Sequence, residues 1–152
     1  MSSRHSGVAE EGSLKTDLSR RHHRVGWWSL LLFVTLGVVL EMLHGFKVGF
    51  YLDVTNSTRR LMWTLAHVHG TLFSILNLLF AMSIRVMPDW DRSSLTLASK
   101  CLLGALVLIP LGFFLGGVVI YGGDPGLGVI LVSPGALLLF ISVLLTARAA
   151  GK

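Results

Sequence analysis

The sequence predicts an all-α integral membrane protein, a four-transmembrane-helix bundle with both termini in the cytoplasm. Three observations carry this. Four apolar stretches each approach the ~20 residues that a helix needs to cross a bilayer. Of the 152 residues, 53% are hydrophobic and 14% charged, with a mean hydropathy of +0.71, where a soluble domain carries roughly 25% charged residues. Lys and Arg are also divided unequally between the two ends of the stretches, as the positive-inside rule requires of a membrane protein.

Residues 1–25 are polar and end in Arg20-Arg21-His22-His23-Arg24. With no early apolar core, this is not an ordinary cleaved signal peptide. Ser19-Arg20-Arg21 partly imitates a twin-arginine signal, but the apolar run behind it has spanning length. The expectation is a disordered tail or a short surface helix, with His22 and His23 at the membrane surface. The transmembrane domain then covers 26–148, with helices over about 27–52, 61–84, 102–121 and 127–147, and a short tail at 149–152. Such continuous apolar runs exclude the alternating strands of a barrel. The short connections 53–60 and 122–126 predict antiparallel hairpins, and 85–101 reads as a solvated linker.

The N-terminal tail, the 85–101 connection and the C-terminus hold 10 of the 13 Lys and Arg residues. The other side holds Lys47, Arg59 and Arg60. This places the 53–60 loop outside and both termini inside, in what is expected to be a bacterial inner membrane. Trp27, Trp28, Tyr51, Trp90 and Tyr121 fall near helix ends, where aromatic belts form. The net charge of +5 is explained by this topology rather than by nucleic-acid binding, since no aromatic-interleaved basic stripe accompanies it. The single cysteine, Cys101, excludes an internal disulfide and any Cys-x-x-Cys motif. Asn56-Ser57-Thr58 matches a glycosylation sequon.

Ionisable residues inside the apolar segments mark the candidate site. Glu41 and His44 lie in the first segment, His67 and His69 in the second. A charged group at the membrane centre costs at least ~2.5–3.5 kcal/mol on insertion scales, so such residues usually face the bundle interior. A hairpin centred near residue 56 puts His44 level with His67 and His69, with Glu41 about one turn deeper, beside Thr71. Thr64, His67, Thr71, Ser74 and Asn77 form one polar stripe of the second helix, which points His67 inward. His69 is ~200° away on a regular helix, so it and His67 cannot chelate one ion.

Three chemistries fit this layer. His44 and His67 suit the axial positions of haem b, with Arg59, Arg60 and Lys47 near its propionates. Glu41, His44 and His67 suit a single iron or zinc ion, and His69, on the other face, is a metal-ligand candidate only at a second site. Alternatively, Glu41 and His44 hydrogen-bond the polar stripe with no cofactor. A di-iron centre within one chain is not expected, because Glu41-x-x-His44 occurs once and no other carboxylate lies deep in a helix. The segment Trp63-Thr-Leu-Ala-His-Val-His-Gly70 is similar in character to histidine-bearing helices of respiratory haem proteins over its eight residues. The leading expectation is a small electron-transfer or redox subunit. The competing ones are a cofactor-free assembly subunit and a proton or small-solute transport component. The expected partners are the lipid bilayer and either other membrane subunits or a second copy.

Gly104, Gly112 and Gly116 form a small-residue seam on the third helix, suited to close helix packing. Pro110 and Pro134 are expected to kink the third and fourth helices. Tyr121-Gly-Gly-Asp-Pro-Gly reads as a turn that brings Asp124 near Arg59 or Arg60.

Overall fold

The computed structural model describes the backbone over residues 2–53, 57–87 and 89–151, with side chains described from residue 12 onward. Asn56, the acceptor of the sequon, lies outside the described residues. The chain folds into α1 (Ser2–Gly45), α2 (Thr58–Val86), α3 (Arg92–Val118), a two-stranded hairpin of β1 (Ile120–Tyr121) and β2 (Asp124–Pro125), a 3-10 turn over Leu127–Leu131, and α4 (Val132–Ala150). Among the described residues, four helices are long and apolar enough to cross a membrane. The start of α1, the end of α4 and the α2–α3 turn lie at one end, called here the terminal end. The α1–α2 loop and the β-hairpin lie at the other, the hairpin end.

The helices pack in chain order as an open row, α1 on α2, α2 on α3 and α3 on α4, while α1 barely touches α3. The α3–α4 seam is built on small residues. A Cβ on Gly112 would press on Val132 and the Gly128 carbonyl, one on Gly104 on Leu138, and one on Gly135 on Ile109 and Leu108. The glycine seam is therefore a packing surface, as its spacing predicts. Pro134 is the third residue of α4, where a proline costs no internal hydrogen bond, so the expected kink has no cause there.

Two cores follow from this row. One, at the terminal end, joins Leu18, Phe80, Ile84, Trp90, Leu95, Ala98 and Leu102, with Leu145 and Ala149 of α4 against it. The other joins Phe73, Ala105, Leu106 and Ile109. The first core corrects three expectations. The N-terminal region is the start of one continuous helix whose Leu18, Ser19 and His22 are buried. The 85–101 connection shrinks to a tight turn, because α3 begins at Arg92 with the Asp91 side chain accepting from the Ser94 backbone N–H at 3.0 Å. Trp90 is buried against Phe80 rather than lying in a surface belt, with ring centroids 5.4 Å apart. Trp27 and Trp28 do remain exposed.

Candidate functional site

The α1–α2 register decides which of the predicted residues meet. Gly37 faces His67: a Cβ there would overlap the imidazole Cε1 and come within 2.8 Å of Nδ1 and 2.9 Å of Nε2. Gly70 faces the Phe33 ring in the same way, and Gly26 faces Leu78 and the Ser74 carbonyl. The midpoint of the Gly37–His67 pair is residue 52, not 56. The reason is that α1 ends at Gly45 and α2 starts at Thr58. The chain turns at once after Gly45, with Lys47 in the left-handed region (φ 51°) and the Val48 N–H bonded to the Leu43 carbonyl. Gly45 and Gly49 are the sequence signal for that stop.

His44 therefore lies level with Arg60, and His67 lies level with a residue seven positions earlier on α1. Seven residues are ~10 Å along a helix. The structure does not bring His44 and His67 into one layer, so haem ligation by that pair lacks its geometry. Among the described residues no group of three His, Cys, Asp or Glu side chains converges to hold a metal ion; the Glu41-His44-His67 set is not assembled.

Each remaining histidine has a local task. The His67 Nδ1–H donates to the Phe33 carbonyl of α1 at 2.7 Å. The His69 Nδ1–H donates to the Leu65 carbonyl of its own helix at 2.8 Å, and its ring packs on Phe113 of α3, centroids 4.9 Å apart. The angular argument that separated His69 from His67 holds, and α3 is what His69 meets.

Arg59 is also occupied. Its Nε donates to the Gly117 carbonyl and one terminal nitrogen to the Phe50 carbonyl, each at 3.0 Å, with the guanidinium 4.8 Å from the Phe50 ring centroid. A cation on the last carbonyls of α3 satisfies groups that the helix cannot, and complements its dipole. The side chain thus clamps the α1–α2 loop to the end of α3 and does not reach for Asp124. That hairpin is held instead by the Thr58 hydroxyl, which donates to the Gly123 carbonyl. Gly122 and Gly123, at φ 57° and 103°, supply the two positive-φ positions that so tight a hairpin demands. Trp63 completes this end, stacked on Phe114 with its indole N–H donating to the Phe114 carbonyl at 3.1 Å.

What remains is a pocket of about 360 Å³ between the ends of α1 and α2, lined by Leu40, Glu41, His44, Tyr51, Ser57, Arg60, Leu61 and Thr64. Glu41, His44 and Arg60 make no hydrogen bond or ion pair with any described residue. One pocket thus presents a carboxylate, an imidazole and a guanidinium without partners among the described residues.

A second polar cluster, which sequence reasoning missed, lies toward the terminal end. His22 is fully buried. Its Nδ1–H donates to Asn77 Oδ1 at 2.7 Å, and the Ser99 hydroxyl donates to its Nε2 at 2.8 Å. Asn77 is oriented by its own amide, which donates to the Phe73 carbonyl at 2.8 Å. Since Oδ1 can only accept, Nδ1 carries a proton, and in the neutral ring Nε2 is then the acceptor for the Ser99 hydroxyl. Beside it the buried Ser142 of α4 donates to the Ala98 carbonyl of α3 at 2.9 Å. These bonds stitch all four helices together. The signal was present in the spacing: Leu18, His22, Gly26, Ser29 and Phe33 continue the inward face of α1 at helical intervals. The flanking arginines disguised it as a surface run.

Comparison with protein-family models, characterised proteins and solved structures yields no match, so the site is read from its own geometry.

Proposed function

We propose that this chain is the binding component of a small-solute transport assembly, taking up a small zwitterion at the pocket of Glu41, His44 and Arg60. The observation that carries the reading is that an acid and a base line one pocket without pairing to each other. Ionisable groups in membrane-length helices are costly and are retained where they meet a partner. A single-charge ligand would satisfy only one of these two. A solute with a carboxylate and an ammonium satisfies both: Arg60 receives the carboxylate as a fork, Glu41 the ammonium. His44 adds a hydrogen bond. Arg60 also opposes a bare metal cation here, by placing a positive charge on the same wall. The pocket volume falls at the low end of small-ligand sites.

In this reading both termini face the cytoplasm and the pocket opens to the opposite side of a bacterial inner membrane, following the distribution of Lys and Arg. Thiol labelling of Ser57→Cys, in a Cys101→Ser background on intact cells, tests that orientation; labelling only after the cells are opened overturns it.

The binding claim is tested by the melting temperature of the detergent-purified chain against neutral amino acids and against acetate or methylamine alone. The expected result is a rise with the zwitterions only, abolished in Glu41→Gln and in Arg60→Gln. Equal shifts with wild-type and both variants would sink it.

A second reading, a cofactor-free assembly subunit, is favoured by the open row of helices. The outer faces of α1 and α4 carry exposed Leu31, Leu32, Val38, Leu137, Phe140 and Val143, covered by none of the described residues. Co-purification of a stoichiometric membrane partner, with no solute response, would favour it.

A further inference from the structure

At the terminal end, α1 and α2 enclose a second pocket, of about 490 Å³, lined by Lys15, Thr16, Ser19, Arg20, Ile84 and Arg85. Three cations and two hydroxyls line it, and no acidic side chain does among the described residues. Its geometry is fixed from below. Ser19 is buried, donates its hydroxyl to the Ala81 carbonyl at 3.0 Å, and accepts from Arg85 Nε at 3.0 Å. That bond aims the Arg85 guanidinium. Neither of its terminal nitrogens finds an acceptor among the described residues, and Arg20 makes no hydrogen bond or ion pair there.

The depth of the pocket identifies its ligand. Trp27 and Trp28 are exposed where the apolar run of the same helix begins, and exposed tryptophans at the edge of an apolar run settle at the membrane interface. Arg20 lies seven residues beyond Trp27, ~10 Å further along the axis. Arg20 thus lies on the water side of the tryptophan level, where its long side chain reaches back to the lipid phosphates, with Ile84 as the pocket's apolar element. Arginine forks match phosphate oxygens in pairs, and basic pockets between helices at this level take anionic headgroups.

We propose that this pocket binds a phosphate group, presented by an anionic phospholipid seated between α1 and α2. Arg20 and Arg85 hold its oxygens, and Lys15 adds charge.

The test is native mass spectrometry of the full chain released from detergent, titrated with phosphatidylglycerol or phosphatidylcholine of identical acyl chains. Wild-type protein is expected to retain phosphatidylglycerol preferentially. Arg20→Gln should weaken that retention about fivefold, the worth of one cation near a lipid surface, and Arg20→Lys should restore most of it. Arg85→Lys, which keeps the charge but loses the fork, should also weaken it. Melting temperature in detergent monitors folding of each variant, and the exposed Arg20 keeps the test valid if Arg85 variants unfold. Failure of tens of millimolar inorganic phosphate to displace the lipid confirms a lipid source. Displacement, with the same loss in Arg20→Gln, assigns the pocket to soluble phosphate and overturns the lipid assignment. Equal retention of both lipids by wild-type and Arg20→Gln overturns the site.

Discussion

His22 of α1 and Asn77 of α2 meet through a 2.7 Å hydrogen bond in the buried interior, and the other ring nitrogen of His22 accepts from Ser99 of α3. A single imidazole thus ties three helices, with its ring also against Phe80 at 4.6 Å between centroids. In lipid, helix association draws little on hydrophobic burial, so packing and such bonds carry specificity.

Removing His22 should destabilise the chain markedly. His22→Ala deletes two hydrogen bonds, each worth ~0.6 kcal/mol on average in membrane interiors, and leaves a cavity lined by the stranded Asn77 and Ser99 oxygens. The expected total is about 2–4 kcal/mol. A double-mutant cycle of His22→Ala with Asn77→Ala, read by unfolding in mixed micelles, should give a coupling of at least ~0.5 kcal/mol. Strict additivity would show that the bond contributes nothing.

Gly37 and His67 give a steric prediction. A methyl group at Gly37 has no space while the imidazole lies across it, and overpacking of this kind costs typically 1–3 kcal/mol. Gly37→Ala should therefore lower stability, and His67→Ala should relieve much of that loss in the double variant. If Gly37→Ala is equally damaging in both backgrounds, the two residues are not opposed.

Asp91 caps α3 outside the apolar segments. The Ser93 hydroxyl first, then the Ser94 backbone N–H, hold its carboxyl below the usual carboxylate range. The contribution to stability is thus present above the unfolded pKa of ordinary aspartate and is lost as pH falls through the lowered folded value. Melting curves of wild-type and Asp91→Ala should converge as the pH falls below about 4. At pH 7 the variant should melt about 2–4 °C lower, the size of one lost cap. A gap that stays constant from pH 7 down through the acid range would assign the effect to packing instead.

Four helices and their order were legible because long apolar runs have one solution in lipid. The inward stripe of α2 was legible too over His67, Thr71, Ser74 and Asn77, which follow helical spacing, while Thr64 on the same line is exposed. The α1–α2 register was not. It depends on where α1 stops, and Phe46, Val48, Phe50 and Tyr51 are as apolar as the helix before them; only Gly45 and Gly49 mark the end. The ends of α1 and α3 were also hidden. Ser19, His22 and Ser99 look like surface residues until a neighbouring helix supplies partners, and only the packed structure shows Trp90 folding inward against Phe80.

The register itself is open to direct test, and it decides between a haem layer and the pocket of Glu41, His44 and Arg60. With Cys101 replaced by serine, cysteine pairs across α1 and α2 report which residues are level. His44→Cys with Arg60→Cys, and Leu40→Cys with Thr64→Cys, are each expected to form a disulfide on mild oxidation, because bridging requires Cα atoms within about 7 Å. His44→Cys with His67→Cys should not, because the two residues are two helical turns out of step. Oxidation of the 44/67 pair with no reaction of the 44/60 pair would restore the hairpin centred near residue 56. It would also return His44 and His67 to one layer, and with them the axial ligands of haem.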